Sequence, residues 1–404
     1  MSARVGYVLL GFPLISETFI ENEIRTLQEA GCEVIVASIH RPLPDRVAVT
    51  ALPAARLTYR PSFARRTLAT VRWFARKPVA MTTNLVVALR ERSETMLRAC
   101  ADAGWIADLF RSAQVDQLHA HFATEPAAIA MATARLLGLP FTFTAHAMDL
   151  YVRTRGLPTK ARSAARVVTV CEYNVARLLD ACPDLPRDRI ALVYCGVDTQ
   201  QFTLRPEPEQ TTETRLLSVG RLVPKKGFDD LIRAVGLLRD VGRSLRLDII
   251  GDGREREHLE ELIARLQLHD VVHLHGHQPN SRVREALVES DVFVLACVID
   301  AGADRDSMPV VIKEAMAVGV PVIATDEVGN PEMVDDEVGR LVPPRDPEAL
   351  AAAIDELQAL DATERRALGM AARQRAVERF DLRSQTAHLI EVFAAARQEP
   401  ELAS

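Results

Sequence analysis

The sequence predicts an α/β chain of two doubly wound, Rossmann-like domains facing a cleft. Three observations carry that prediction. The opening alternates strand, glycine turn, helix and strand in RVGYVLL, GFP, SETFIENEIRTLQEAG and CEVIVASI. An opening of the same kind recurs at RLLSVGRLVPKKGFDDLIRAVGLL, after the proline- and charge-rich stretch TLRPEPEQTTET, which has no periodicity and reads as a linker. A length of 404 residues gives each half room for its own core.

Bulk properties narrow the function classes. Hydrophobic residues make up 48% and charged residues 26%, an ordinary soluble composition. The first apolar run, VGYVLLGF, is too short for a signal peptide, and no later run approaches the length of a membrane span, so a cytoplasmic protein is expected. Six cysteines without C-x-x-C spacing read as reduced structural thiols. The net charge of −6 hides an asymmetry: residues 1–205 carry 25 Lys and Arg against 18 Asp and Glu, or +7, and residues 206–404 carry 24 against 37, or −13.

In the first half, Gly11 ends the first strand where backbone can approach a ligand, and Ser16 is a plausible cap for the helix that follows. Residues 56–98 carry ten Lys or Arg and two acids, with Phe63, Trp73 and Phe74 interleaved. Helical spacing puts Arg65, Arg72 and Arg76 on one face and Ala64, Leu68, Val71 and Ala75 on another. Such a segment reads either as a surface for anionic membrane or as a solvated basic face over the core. DQLHAHF ends a strand in His119 and His121; a metal pair is one reading, but no acid or cysteine follows at useful spacing. FTFTAHAMDLY puts His146 just past the carboxyl end of a buried strand, where doubly wound sheets keep their functional groups.

In the second half, Arg221 and Lys226 lie in a glycine-bearing loop between strand and helix, and two such cations suit a diphosphate. Gly251-Asp252-Gly253 lacks the third glycine of a dinucleotide fingerprint. His273, His275 and His277 alternate, as on a strand with an exposed edge, and a zinc reading lacks a fourth ligand. The stretch 304–342 then reads as a short apolar helix, a buried strand and an acidic turn. Asp306 or Ser307 can cap the helix, Pro309 sits in its first turn and Gly319 ends it. Unpaired amides near Val310 and Val311 make its start a site for a sugar diphosphate, with Asp306 and Glu314 flanking the ligand.

D-x7-E followed by AMAVGVPVIAT and GNPEMV resembles the Glu-x7-Glu signature of family 4 glycosyltransferases, retaining enzymes of the GT-B architecture. Asp306 replaces the first Glu and is one methylene shorter. PLISETFIENEI, HAMDLY, YCGVD with Phe202, and GRLVPKKG resemble the same family in order along the chain, the first of them its exopolysaccharide, colanic-acid-type branch.

The resemblance implies an acceptor-binding domain over 1–205, a nucleotide-sugar-binding domain over 206–382, and a last helix, 383–404, packing back on the first. It implies a hexosyltransferase for polysaccharide or glycoconjugate synthesis, with His146, Asp306 and Glu314 as catalytic residues. Arg221, Lys226, Val310 and Val311 would hold the donor diphosphate; Ser307, Met308, Gly251, Gly276 and His277 would meet the donor sugar and base. Gly11, Ser16, Glu17 and Thr18 would face a sugar or lipid-linked acceptor. No metal or cofactor and no nucleic acid partner is expected, and the segment 56–98 would dock on the inner face of the cytoplasmic membrane. An epimerase-like isomerase of nucleotide sugars and a catalytically silent nucleotide-sugar-binding partner stay open beside it.

Overall fold

A computed structural model describes residues 3–43, 47, 53, 56–206 and 213–398. The chain forms two compact units, Met1–Tyr194 with Leu382–Ser404, and Cys195–Asp381. In chain order the first holds β1 (Arg4–Gly11), α1 (Thr18–Glu29), β2 (Glu33–His40), β3 (Leu57–Tyr59), α2 (Phe63–Arg76), α3 (Pro78–Arg90) and α4 (Glu94–Ser112). It continues with β4 (Gln117–His121), α5 (Glu125–Leu137), β5 (Phe141–Ala145), α6 (Leu157–Ser163), β6 (Arg166–Thr169), α7 (Glu172–Ala181) and β7 (Ile190–Leu192). The second holds β8 (Thr214–Val219), α8 (Phe228–Asp240), β9 (Leu245–Ile250), α9 (Arg256–Arg265), β10 (Val272–Leu274), α10 (Asn280–Glu289) and β11 (Val292–Leu295). After these come α11 (Val310–Val318), β12 (Val322–Thr325), β13 (Gly339–Val342), α12 (Pro347–Ala359) and α13 (Ala362–Phe380); α14 (Leu382–Gln398) rejoins the first unit.

Both sheets are wholly parallel among the described residues, with strand order β3-β2-β1-β4-β5-β6-β7 in the first and β10-β9-β8-β11-β12-β13 in the second. The sequential order of strands reverses beside β1 and beside β8, so each unit has a switch point, between β1 and β4 and between β8 and β11, where loops diverge and a ligand crevice opens at the carboxyl ends. Apolar runs such as VFVL and VIAT make strands covered on both faces, as a parallel sheet requires. The helix α14 lays Leu389, Val392 and Phe393 into the same apolar cluster as Val5, Tyr7, Ile20 and Ile24.

Several local expectations are corrected. The units divide after Tyr194 and not at 205, because the second unit's own elements hold the intervening chain: Lys313 Nζ donates to the Cys195 carbonyl at 2.6 Å, Val197 N to that of Phe380 at 2.9 Å, and Arg373 to those of Thr199 and Phe202. Of the expected linker, residues 207–212 lie outside the described residues. Ser16 caps nothing, since it sits inside a 3-10 turn, Ile15–Glu17, that delays α1 to Thr18. Neither Asp306 nor Ser307 caps α11, whose cap position is Pro309, without a side-chain bond.

The basic segment also differs from its helical-wheel reading. Leu68 and Val71 are exposed, and α2 is anchored instead by Ala69 and Trp73. The Trp73 indole is buried and donates to Asp108 Oδ1 at 3.0 Å, so only Phe63 and Phe74 of the three aromatics face solvent. Arg72 pairs with Asp108, while Arg60 and Arg66 converge on the buried Asp102 at 2.6 and 3.0 Å. No helix among the described residues is long and apolar enough to cross a membrane.

Candidate functional site

In the second unit the loop after β8 is folded by close backbone contacts. Gly227 has φ +62°, and a Cβ there would lie 1.8 Å from the Ala296 carbonyl oxygen. Gly251 has φ +148°, and a Cβ there would meet the Gly220 carbonyl oxygen at the same distance, so only glycine lets these turns touch. Gly251 N donates to the Gly276 carbonyl at 2.9 Å, so both glycines brace the loop from outside. The 3-10 turn Pro224–Lys226 then buries two consecutive lysines.

Their ammonium groups meet the irregular loop before α11. Lys226 Nζ lies 2.5 Å from Asp306 Oδ2; Lys225 Nζ lies 3.0 Å from Asp306 Oδ1 and 3.1 Å from Asp304 Oδ1. That loop is pinned by Asp300 Oδ1, which accepts from Gly302 N at 2.8 Å and Asp304 N at 3.0 Å. Burial works against the Asp306 carboxylate, but the two lysines outweigh it and hold the group well below the usual carboxylate range. Lys226 is raised in turn: burial pulls it down, and Asp306 more than compensates. Glu314, on α11, is pushed up to about 7 by burial, which Lys313 only partly offsets. The cluster is a pair of fixed cations with one shared acid, beside a strand-to-helix turn whose first amides have no side-chain cap.

In the first unit, His146 follows β5 and belongs to a chain of buried groups. Its Nε2 lies 3.2 Å from His121 Nδ1; His121 Nε2 lies 2.9 Å from Glu23 Oε1, which also accepts from Tyr7 Oη at 2.7 Å. Burial raises the Glu23 carboxyl, but His121 and Tyr7 bring it down to about 2, so it is an acceptor only. His121 must therefore donate from Nε2. Burial and His121 depress His146 to about 3, leaving it neutral at pH 7. A proton on His121 Nδ1 makes His146 Nε2 an acceptor and its Nδ1 a donor; without that proton the roles reverse. Phe19 and Phe122 pack on the His146 ring with centroids 5.2 and 4.7 Å away, and Phe122 holds a left-handed φ of +72°. Asp149 Oδ2 accepts from Ala123 N at 2.8 Å and His146 N at 2.9 Å, tying together the exits of β4 and β5.

The profile of Glycosyltransferase Family 4 matches residues 16–201, and that of Glycosyl transferases group 1 matches residues 199–375. WcaL of Escherichia coli (strain K12), named for colanic acid biosynthesis, is 32% identical over 395 residues, covering 89% of this chain and 92% of that protein. The chain is a family 4 glycosyltransferase of the GT-B type. The transferase falls in the exopolysaccharide branch: the amylovoran biosynthesis glycosyltransferase AmsK of Erwinia amylovora is 36% identical over 168 residues, 41% of each chain. Its fold matches the crystal structure of Anabaena Alr3699/HepE in complex with UDP and glucose, with TM-score 0.70, 16% identity, and coverage of 98% of this chain and 100% of that one.

The expected donor residues are thus partly assembled. Lys226 and Asp306 meet directly, Arg221 stands exposed at the loop's entrance, and Val310 and Val311 open α11. Ser307 and Met308 are buried in the approach to that helix, and His277 is exposed beyond Gly276. Gly11 is buried at the end of β1, Ser16 is exposed, and Glu17 and Thr18 are half-buried.

Other residues of the transferase escaped the sequence reading. Lys225 sits beside the nominated Lys226 and shares its acid, a pairing that its place in the sequence does not reveal. Glu23 is 98 residues from its partner His121, so no local spacing reveals it. It also supplies the acid that the H-x-H pair lacked: Glu23, His119 and His121 are the one group among the described residues whose ligand atoms lie within 4.8 Å of one another. Those atoms are already engaged, with His119 Nδ1 2.8 Å from Thr142 Oγ1 and its Nε2 3.1 Å from Thr144 Oγ1. A metal would have to break the Glu23–His121 and Tyr7–Glu23 hydrogen bonds and one of those from His119 to a threonine, so the donor set fits a hydrogen-bonded network better than an ion. The histidines at 273, 275 and 277 do not converge; His275 Nε2 instead meets Asp248 at 2.5 Å.

Proposed function

We propose that the chain moves a hexosyl group from a nucleotide diphosphate sugar to a sugar or lipid-linked acceptor, with retention of anomeric configuration and without a divalent metal. The observation that carries this reading is the Lys225–Lys226–Asp306 cluster beside the uncapped start of α11, in a chain of this family. As the glycosidic bond breaks, negative charge grows on the leaving diphosphate. Arg221, Lys226 and the amides of Val310 and Val311 are preorganised cations and dipoles that stabilise that charge without solvent reorganisation. Asp306 accepts from sugar hydroxyls, Glu314 from the ribose, and His146 contacts the donor sugar. HepE, whose crystal holds UDP and glucose, supports a nucleotide sugar as donor.

The acceptor side belongs to the first unit, with Gly11, Ser16, Glu17 and Thr18 bordering its entrance. Residues 61–90 contain no Asp or Glu, and α2 and α3 expose Phe63, Leu68, Val71, Phe74 and Val79 among Arg65, Arg76 and Lys77. A face of that chemistry suits transient docking on anionic lipid at the inner surface of the cytoplasmic membrane.

The test incubates the purified chain with a panel of nucleotide sugars, with and without lipid-linked acceptor, in the presence and absence of a chelator. Acceptor-dependent release of nucleoside diphosphate that survives chelation is expected. Sugar isomerisation without acceptor, or no turnover with any donor, overturns the reading; loss of turnover rescued by metal overturns its metal-free form.

A further inference from the structure

A 410 Å³ cavity in the first unit lies outside the carboxyl ends of β1 and β4, at the switch point of that sheet. Leu10 and Thr124 border it on the strand side, and Arg153, Arg155 and Lys160 line it from the chain that follows His146. Its volume is that of a small-molecule site. Three features give it a consistent sign.

The first is a buried cation without a counter-ion. Lys160 is only 2% exposed, and its ammonium donates to the Arg155 carbonyl at 3.2 Å, with no carboxylate in ion-pair range among the described residues. Burial lowers it to about 8, while Asp149 and Glu91 act on it from a distance. Those two carboxylates offset burial only in part; a buried charge left partly uncompensated is costly, and a bound anion would relieve that cost.

Second, the acid in the lining is already spent. Glu125 Oε1 lies 3.1 Å from Arg60 Nη2, so it offers little negative potential to the cavity. Third, the two arginines are exposed and present planar forks that grip phosphate oxygens in pairs. The start of α5 adds in the same sense, because Thr124 and Glu125 border the cavity and the helix has no side-chain cap.

We propose that this cavity binds the phosphate or diphosphate group of the acceptor. Arg153 and Arg155 grip its oxygens and Lys160 neutralises it from below. The proposal rests on the reading that the first unit takes the acceptor, and it makes the acceptor's charge a determinant of specificity.

The test is calorimetric titration of the full chain with inorganic diphosphate and with geranyl diphosphate. It compares wild type, the double variant Arg153→Ser with Arg155→Ser, and Lys226→Ala; UDP and GDP are titrated into the same proteins. With the donor site filled by saturating UDP or GDP, the double variant is expected to lose roughly tenfold or more in affinity for both probes, the scale of lost charge-assisted hydrogen bonds, and Lys226→Ala to keep it. Tighter binding of geranyl diphosphate than of inorganic diphosphate identifies a lipid-linked source for the group; equal binding means that the anion is recognised without its tail. Unchanged diphosphate affinity in the double variant, or loss confined to Lys226→Ala, overturns the proposal. Nucleoside diphosphate binding that persists in that event leaves the transferase reading standing. The arginines are exposed, so the test does not depend on a variant of the buried lysine folding.

Discussion

Asp306 and Lys226 form a direct ion pair in the second unit, Oδ2 to Nζ at 2.5 Å, and Asp306 reaches Lys225 with its other oxygen at 3.0 Å. The acid proposed to hold sugar hydroxyls and the cation proposed to hold the diphosphate are therefore poised against each other. Each favours the charged form of the other in a setting where burial works against both.

Removing the cation should weaken donor binding. Lys226→Ala is expected to reduce nucleoside diphosphate affinity by about 1.5–3 kcal/mol, the range for hydrogen bonds to charged groups. Lys225 remains beside Asp306, so the acid is not left unpaired and the fold should survive. Unchanged affinity in calorimetry would remove Lys226 from the donor site.

The two acids should separate kinetically. Asp306→Asn is expected to lower transfer and nucleotide-sugar affinity more than affinity for the bare nucleotide, and Glu314→Gln to lower all three. The Glu314 carboxyl sits at about 7, raised by burial. Accepting from ribose hydroxyls favours its ionised form, so nucleotide affinity should rise as pH passes upward through about 7, and Glu314→Gln should flatten that rise. A wild-type affinity independent of pH between ~5.5 and ~8.5, ~1.5 units either side of that value, would separate Glu314 from the ribose.

The buried histidines predict acid lability. His119 and His146 sit near 3, depressed by burial from an ordinary value of 6.5, and stay neutral in the fold. Their contribution to stability is complete above 6.5 and is lost as pH falls from 6.5 toward 3. Glu23, held near 2 against an ordinary 4.5, adds a loss of the same sign below 4.5. Melting temperature should therefore fall steadily on acidification from neutrality. Glu23→Gln should start about 1–3 kcal/mol less stable at pH 7, having lost an ionised acceptor shared by Tyr7 and His121, and lose less on acidification. It should also lower kcat more than it raises the donor KM, since His146 would lose its fixed proton arrangement. An acid profile matching that of wild type would contradict the assignment.

Docking on lipid should depend on the cations that have no internal partner among the described residues. Arg65→Glu with Arg76→Glu is expected to release the protein from vesicles containing anionic lipid at low salt, as each basic residue near such a surface contributes roughly 1 kcal/mol. Arg72 is the wrong choice for this test, being paired with Asp108. Failure of the wild type to co-sediment, or equal binding by the double variant, would favour a soluble acceptor.

Strand-helix alternation and glycine turns are local properties, so the two α/β halves, the loop after β8 and the placing of His146 past β5 were legible from sequence. Partnerships were not. Glu23 finds His121, Lys225 finds Asp304 and Asp306, and Asp300 organises an irregular loop; the first two partnerships bridge 98 and 79 residues of chain within one unit, beyond the reach of local spacing. Caps failed for a related reason. Ser16 and Asp306 have the right chemistry, but a 3-10 turn claims one and a pair of lysines the other. The wheel for α2 misplaced Leu68 and Val71 because spacing defines faces without saying which face meets the core.

The return of α14 to the first unit sets an order of events during synthesis. Residues 1–194 leave the ribosome well before 382–398, so the face formed by Val5, Tyr7, Ile20 and Ile24 waits for Leu389, Val392 and Phe393 while the whole of the second unit is being made. The nascent first unit carries an uncovered apolar face throughout that interval. A chain released early, before residue 382, would be complete in its second unit and still adhesive in the first.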